Sequence, residues 1–270
     1  MLVVNGLQKT YAERGFFKAR RTVHAVRDVS FTLRKKEIVG IVGESGSGKS
    51  TLARCIARLI DPSAGSVRLD GTEIATATKR EFHPVRKRIQ VVFQDPYRSL
   101  NARIRVGDSI IEGMRNFGVP EDEARSRAIE LLDIVGLSAD TMDRYPHQFS
   151  GGQRQRICIA RALALRPDIL IADEAVSALD VSVQAQVLDL IEDIRARTDT
   201  AVLFITHDLR VAAQICNSIV VMKSGQIVEA GEAAEVLTRP RDGYTRQLLE
   251  AAPGRHWDFK RFRPAEAVLQ

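Results

Sequence analysis

Gly43-Glu44-Ser45-Gly46-Ser47-Gly48-Lys49-Ser50 decides the fold of this chain. It fits the pattern G-x-x-x-x-G-K-[ST], follows the apolar run Glu37–Val42 (EIVGIV) and precedes a helical run, Thr51–Leu59 (TLARCIARL). That strand-loop-helix setting is the one a phosphate-binding loop requires. The glycines let successive backbone N–H groups turn inward around an anion, and the start of the following helix adds a favourable dipole. Lys49 is placed to reach β- and γ-phosphates, and the Ser50 hydroxyl to ligate Mg²⁺. A Gly-rich turn that binds nothing is the weaker reading, because pattern and context are both complete.

Working outward, short apolar runs rich in β-branched residues recur at Arg88–Phe93, Asp168–Ala172 and Ala201–Thr206. They read as buried strands of a largely parallel sheet. Helical patterns lie between them at Gln153–Leu165, Val183–Arg197 and Leu209–Ile215. The alternation predicts a doubly wound α/β core. Asn101–Phe149 holds no buried strand but carries helical stretches such as Glu121–Ile134, which predicts a helical subdomain inserted at about residues 95–160. Val3–Val4, Ser30–Leu33 and Ser66–Leu69 read as short antiparallel strands, interrupted by the basic loop Arg14–Arg21. Ile219–Met222 and Ile227–Glu229 are expected to form a hairpin around Lys223–Gln226.

A phosphate loop alone does not choose among kinases, GTPases, helicases and transport ATPases. Asp173 and Glu174 narrow the choice, because they follow the strand DILIA and sit where open α/β sheets assemble ligand sites. Asp173 is assigned to the Mg²⁺ shell and Glu174 to orienting a water for attack on the γ-phosphorus.

Composition bounds the rest. The 270 residues, 44% hydrophobic and 27% charged, suit one sizeable α/β domain and are too few for two full nucleotide-binding units. No apolar run reaches bilayer length, so any membrane-crossing part is expected in another chain. MLVVNGLQKTY lacks an export-signal pattern, and the expected setting is the cytoplasm. Cys55, Cys158 and Cys216 lie far apart and read as core residues. The net charge of +6 is spread along the chain, which favours nucleotide phosphates over nucleic acid. Lys260-Arg261-Phe262-Arg263 reads as a solvated tail.

Phe149-Ser150-Gly151-Gly152-Gln153-Arg154-Gln155-Arg156 resembles the signature motif of ATP-binding cassette proteins, with Phe149 where Leu is commoner. Ser150 could be a plain helix cap, but two successive glycines make a poor first turn, which favours an anion site. Other cassette elements match in order. Gln94 resembles the Gln-loop residue that senses Mg²⁺ and the attacking water, Ser177-Ala178-Leu179-Asp180 the loop between two cassettes, His207 the switch histidine, and Tyr11 the aromatic that stacks on adenine. The resemblance covers about Leu2 to Ala230. It implies a P-loop NTPase core with an N-terminal antiparallel β subdomain and an inserted helical signature subdomain. Residues 1–235 then form the nucleotide-binding domain and 236–270 a C-terminal extension.

Gln94-Asp95-Pro96-Tyr97-Arg98-Ser99-Leu100-Asn101 and Gly243-Tyr244-Thr245-Arg246-Gln247-Leu248-Leu249 resemble the second ATPase of oligopeptide, dipeptide and nickel importers. Ala102 stands where that branch often has Pro, and Asp242-Gly243 replaces its usual His-Pro. The tail lacks the cysteine cluster of some members, so no iron–sulfur centre is expected. The resemblance implies an ATPase using ATP and Mg²⁺ (Tyr11, Gly43, Glu44, Ser45, Gly46, Ser47, Gly48, Lys49, Ser50 and Thr51 binding ATP; Ser50, Gln94 and Asp173 on the metal; Glu174, His207 and Gln94 catalytic). Ser150, Gly151, Gly152 and Gln153 would close on the nucleotide of a partner cassette. The implied partners are a second cassette (a non-identical paralogue or a homodimer), two membrane permease subunits and a solute-binding protein, with the chain peripheral on the cytoplasmic face of the inner membrane and no nucleic acid. The alternative is a cassette ATPase accessory to a soluble enzyme complex, as in phosphonate breakdown.

Overall fold

The computed structural model describes residues 1–13, 21–177 and 179–251. Most of the loop Arg14–Arg21, Ala178 and the Lys260–Arg263 tail lie outside them. The chain forms two compact units, one of residues 1–82 with those from 201 onward, the other of residues 83–200.

The first unit opens with β1 (Leu2–Glu13), β2 (Arg21–Leu33), β3 (Ile38–Val42), α1 (Lys49–Ile56), β4 (Ala64–Leu69), β5 (Thr72–Glu73) and α2 (Lys79–Phe82). The second contains β6 (Ile89–Val92), α3 (Pro96–Ser99), α4 (Val106–Asn116), α5 (Glu121–Ile134), α6 (Gly151–Leu163), β7 (Ile169–Asp173) and α7 (Val181–Arg197). The chain then returns to the first unit through β8 (Ala201–Thr206), α8 (Leu209–Ile215), β9 (Ser218–Lys223), β10 (Gln226–Glu232), α9 (Ala233–Thr238) and α10 (Gly243–Ala251).

In the first unit β3 lies between β8 and β9, parallel to both, and β10 pairs antiparallel with β9. Every residue of β3 and β8 is buried, which is why both read as unbroken apolar runs. The register sets Val42 opposite Thr206, so Gly43 and His207 leave adjacent strand ends. A separate antiparallel sheet has the order β2-β1-β4-β5. Here the expected short strands are corrected: β1 and β2 run for 12 and 13 residues. Their pairing slips register three times between Val4 and Thr10, and Gly6 and Asp28 adopt positive φ of 59° and 51°. These irregularities break the two-residue alternation that reveals a strand in sequence.

In the second unit β6 and β7 pair in parallel, Val92 opposite Ala172. As expected, no strand of the described residues falls between Asn101 and Phe149. α5 buries Ala124, Ala128, Leu131 and Leu132, a helical i, i+4, i+7, i+8 stripe. Glu121, Asp122 and Glu123 occupy its first turn, where the helix dipole favours negative charge. Its other end is closed by Gly136 in the left-handed region, with Gly136 N–H donating to Asp133 O (2.9 Å) and Leu137 N–H to Leu132 O (2.8 Å). All three cysteines are free and buried, and burial pushes the Cys55 and Cys158 thiols up to about 11.

Candidate functional site

The loop from β3 to α1 is built around Lys49, whose residue is only 4% exposed. Its ammonium donates to Gly43 O (2.7 Å) and Glu44 O (2.8 Å). A buried cation is tolerated when it is hydrogen-bonded, and the carbonyls at the start of the loop meet that need. Gly43 (φ 152°) and Gly48 (φ 104°) admit no side chain: a Cβ would stand 2.2 Å from Met222 O at the first and 2.2 Å from Ala25 O at the second. The loop is also held from outside. Gly225 N–H donates to Ser47 O (2.9 Å), and Glu44 N–H donates to the Tyr244 hydroxyl (3.1 Å). Glu44, Ser45 and Gly46 are exposed, Ser47 is buried, and Ser50 and Thr51 are half-buried on the first turn of α1. Gly48, the N-cap of α1, has no side chain with which to satisfy the first helical N–H groups. A buried ammonium beside an uncapped helix start fits a phosphate chain.

The same unit carries two further predicted residues. His207 is exposed immediately after β8, and Asp208, not His207, caps α8 by accepting from Arg210 N–H (2.9 Å). Burial alone would push the Asp208 carboxyl up, but its bonds to Arg210, including the guanidinium at 2.6 Å, hold it below the usual range. Tyr11, on β1, is 40% exposed, with the Lys9 ammonium 5.0 Å from its ring centroid.

In the second unit, the ends of β6 and β7 bring Gln94, Glu174 and Ser177 together. Gln94 Nε2 donates to Ser177 Oγ (3.2 Å), and Ser177 Oγ donates to Glu174 O (3.0 Å). Asp173, the last residue of β7, is buried, whereas Glu174 is half-buried with φ 51°. A non-glycine residue in that region is strained, and such strain concentrates at functional positions. Leu179 is half-buried and Asp180 is the exposed N-cap of α7; Ala178 lies outside the described residues. In the first unit Ser50 offers a hydroxyl, and in the second Asp173 and Gln94 offer carboxylate and amide oxygens, each by itself a hard donor of the kind Mg²⁺ takes.

Ser150 is the N-cap of α6. Its Oγ accepts from Gln153 N–H (3.3 Å) and its own N–H donates to Gln153 Oε1 (3.0 Å), a reciprocal capping box. The capping role that ranked second from sequence is the one these side chains perform here. Gly152 has a packing reason as well, since a Cβ would fall 2.4 Å from Val183 Cγ1, while Gly151 faces space with no atom within 4 Å.

Three residues of α6 hold the segment after β6; sequence reasoning quoted Arg154 and Gln155 only as part of the signature segment, without this role, and did not single out Arg161. Gln155, fully buried, places Nε2 3.5 Å from Phe93 O; the Arg154 guanidinium lies 3.8 Å from the Tyr97 ring centroid; Arg161 donates to Ser99 O (2.5 Å). Tyr244 was noted only as part of a family segment. Asp242, the departure from His-Pro, caps α10 by accepting from Tyr244 N–H (2.7 Å).

Comparison with known proteins gives these features a family. The family model described as ABC transporter matches residues 26–177. A relative in Brucella ovis named as a peptide import ATP-binding protein is 46% identical over 94% of this chain and 78% of its own length. One in Sinorhizobium fredii named as a peptide ABC transporter ATP-binding protein is 50% identical over 94% of this chain and 72% of its own. A solved dimeric ATP-binding cassette in a post-hydrolysis state, bound to ADP and Pi, superposes with TM-score 0.76 at 29% identity, covering 86% of this chain and 99% of that one. The chain therefore belongs to the ABC transporter family, as one of its ATP-binding subunits.

Proposed function

We propose that this chain is the ATP-hydrolysing subunit of an import complex that takes up peptides or a related small solute through separate permease subunits. The observation that carries the reading is the buried Lys49 at the head of α1, within a loop that only glycine can form at Gly43 and Gly48. The names of the peptide-import relatives supply the direction of transport and the class of solute.

In this reading Lys49 and the N–H groups at the start of α1 hold the β- and γ-phosphates, and Tyr11 stacks on adenine. Ser50, Asp173 and Gln94 would hold Mg²⁺, which would supply positive charge to the phosphate chain. Glu174 polarises the attacking water, and its strained backbone favours a role that fixes the direction of the carboxylate. His207 contacts the γ-phosphate. Ser150, Gly151, Gly152 and Gln153 face the nucleotide of a second cassette, with Ser177–Asp180 forming the loop between the two. The cassettes close on ATP and reopen after hydrolysis, a population shift driven by contacts that exist only when closed. The dimeric solved cassette favours such a pair. Residues 1–235 serve as the nucleotide-binding domain, the inserted helical subdomain at about 95–160 and the extension 236–270 completing the division.

Among the described residues no helix is long and apolar enough to cross a membrane. In this reading the chain sits on the cytoplasmic face of the inner membrane, held by two permeases that receive solute from a binding protein, and what supports it is the import naming of its relatives. The second cassette is a non-identical paralogue. The test is reconstitution of the chain with its neighbouring cassette and permeases in lipid, following both solute uptake and phosphate release. Glu174→Gln should retain nucleotide while turnover falls by about 10²- to 10⁴-fold. Uptake that persists without hydrolysis, or near-normal turnover in Glu174→Gln, overturns this assignment.

A further inference from the structure

We propose that Tyr244, on α10, is a positioning residue for the phosphate loop: its hydroxyl holds the Glu44 N–H and so sets the shape of the loop before nucleotide arrives. The inference rests on reading Gly43–Ser50 as that loop.

A loop made of glycine and serine has many accessible conformations, and ordering it at the moment of binding costs affinity. Ties that order it beforehand therefore strengthen binding without touching the ligand. Two such ties reach this loop from elsewhere in its unit: Gly225 N–H to Ser47 O at 2.9 Å, and Glu44 N–H to Tyr244 Oη at 3.1 Å. The second spans 200 residues of sequence and secures the exposed half of the loop, Glu44–Gly46.

Tyr244 is itself fixed. The residue is 6% exposed, and the Lys223 ammonium lies 4.5 Å from its ring centroid. Asp242 caps the helix at Tyr244 N–H. Glu229, on β10, accepts from Arg241 N–H (2.8 Å) and Asp242 N–H (3.1 Å) through its two carboxylate oxygens. The hairpin that reaches Ser47 is thus also the strand that anchors α10, and the ties form a closed circuit around the loop. Burial keeps the Tyr244 phenol protonated by pushing its pKa up, so the hydroxyl remains a neutral acceptor.

Tyr244→Phe in the full chain keeps the ring and removes the oxygen. Two measurements judge it: amide hydrogen exchange over residues 43–48 without nucleotide, and titration with a fluorescent non-hydrolysable ATP analogue plus Mg²⁺. Exchange at Glu44 should quicken, and analogue affinity should fall, by about three- to tenfold, the size of one hydrogen bond. In the reconstituted complex KM for ATP should rise while kcat holds within about twofold, because the loss is in ground-state positioning. Gln247→Ala, exposed on the same helix, should change none of these. Unchanged exchange and affinity in Tyr244→Phe overturn the inference. Failure of the wild-type chain to bind the analogue overturns the phosphate-loop reading instead, and exchange at Glu44 still judges Tyr244.

Discussion

The phosphate loop and the signature segment are both glycine-bearing starts of helices, yet they satisfy their polar groups in opposite ways. At α1 the N-cap is a glycine without a capping side chain, and the loop is shaped by contacts from β9, the β9–β10 turn and α10. At α6 the N-cap is Ser150, which exchanges hydrogen bonds with Gln153 and closes its own first turn. The difference separates a loop shaped by distant parts of its own unit from a helix start whose polar groups are satisfied within one turn, and under the proposed function the second would have to trade local bonds for a ligand's. A cassette partner bringing nucleotide to Ser150 would make that trade at the moment of pairing, which suits a contact meant to be reversible.

Substitutions can break this comparison. The largest effect is expected from Gly43→Ala, where positive φ and a 2.2 Å clash with a backbone carbonyl should destabilise the chain by about 3 kcal/mol and abolish nucleotide binding. Gly151→Ala is the matched change at the other site. With no atom within 4 Å of its Cβ, it should leave thermal stability within about 0.5 kcal/mol. Equal unfolding midpoints for the two variants would erase the distinction.

Next in size, Lys49→Ala should weaken nucleotide binding to the isolated chain by about ten- to a hundredfold, the worth of hydrogen bonds from a charged donor. Ser150→Ala should cost about 1 kcal/mol of stability through the lost cap and leave that binding unchanged. Titration of both variants as monomers checks the pair, and a matching loss of affinity in Ser150→Ala would place the signature on its own chain's nucleotide.

The smallest expected effect is on pH. Burial alone would raise the Glu229 carboxyl, but the N–H groups of Arg241 and Asp242 hold it below its ordinary value. A depressed carboxyl contributes its full stabilisation above the pKa of the unfolded chain and loses it as pH falls through the folded one. Acidification from about pH 5 to pH 3, across the carboxylate range, should therefore loosen α10 and the phosphate loop, while the neutral Ser150–Gln153 cap is not itself titrated. Amide exchange corrected for intrinsic rates should show this asymmetry, and Glu229→Gln should loosen the loop already at neutral pH.

What could be read from sequence followed from how local each signal is. The phosphate loop, β8, α5 and α8 were legible because their patterns lie within a dozen or so adjacent residues. α1 and α6 begin two residues before their periodicity suggested, since loop glycines and polar residues supply their first turns. β1 and β2 were underestimated because bulges scramble their alternation. Ser150-x-x-Gln153 did carry the capping-box signal, outweighed at the sequence level by the two glycines beside it. The Tyr244–Glu44 bond was invisible for a different reason: nothing near either residue announces a partner 200 positions away.

The contact between Gln94 and Ser177 has one more consequence, which concerns the direction in which protons point. A serine hydroxyl owns a single proton, and that of Ser177 is directed to Glu174 O. Toward Gln94 it can therefore offer a lone pair alone, and the side-chain amide must answer with nitrogen. In this arrangement Gln94 meets the serine with its amide nitrogen, and the carbonyl end of Gln94 is turned from it. Hydroxyl, amide and main-chain carbonyl thus stand in one chain of polarity from the end of β6 to the turn after β7, with each proton pointing toward the Glu174 carbonyl.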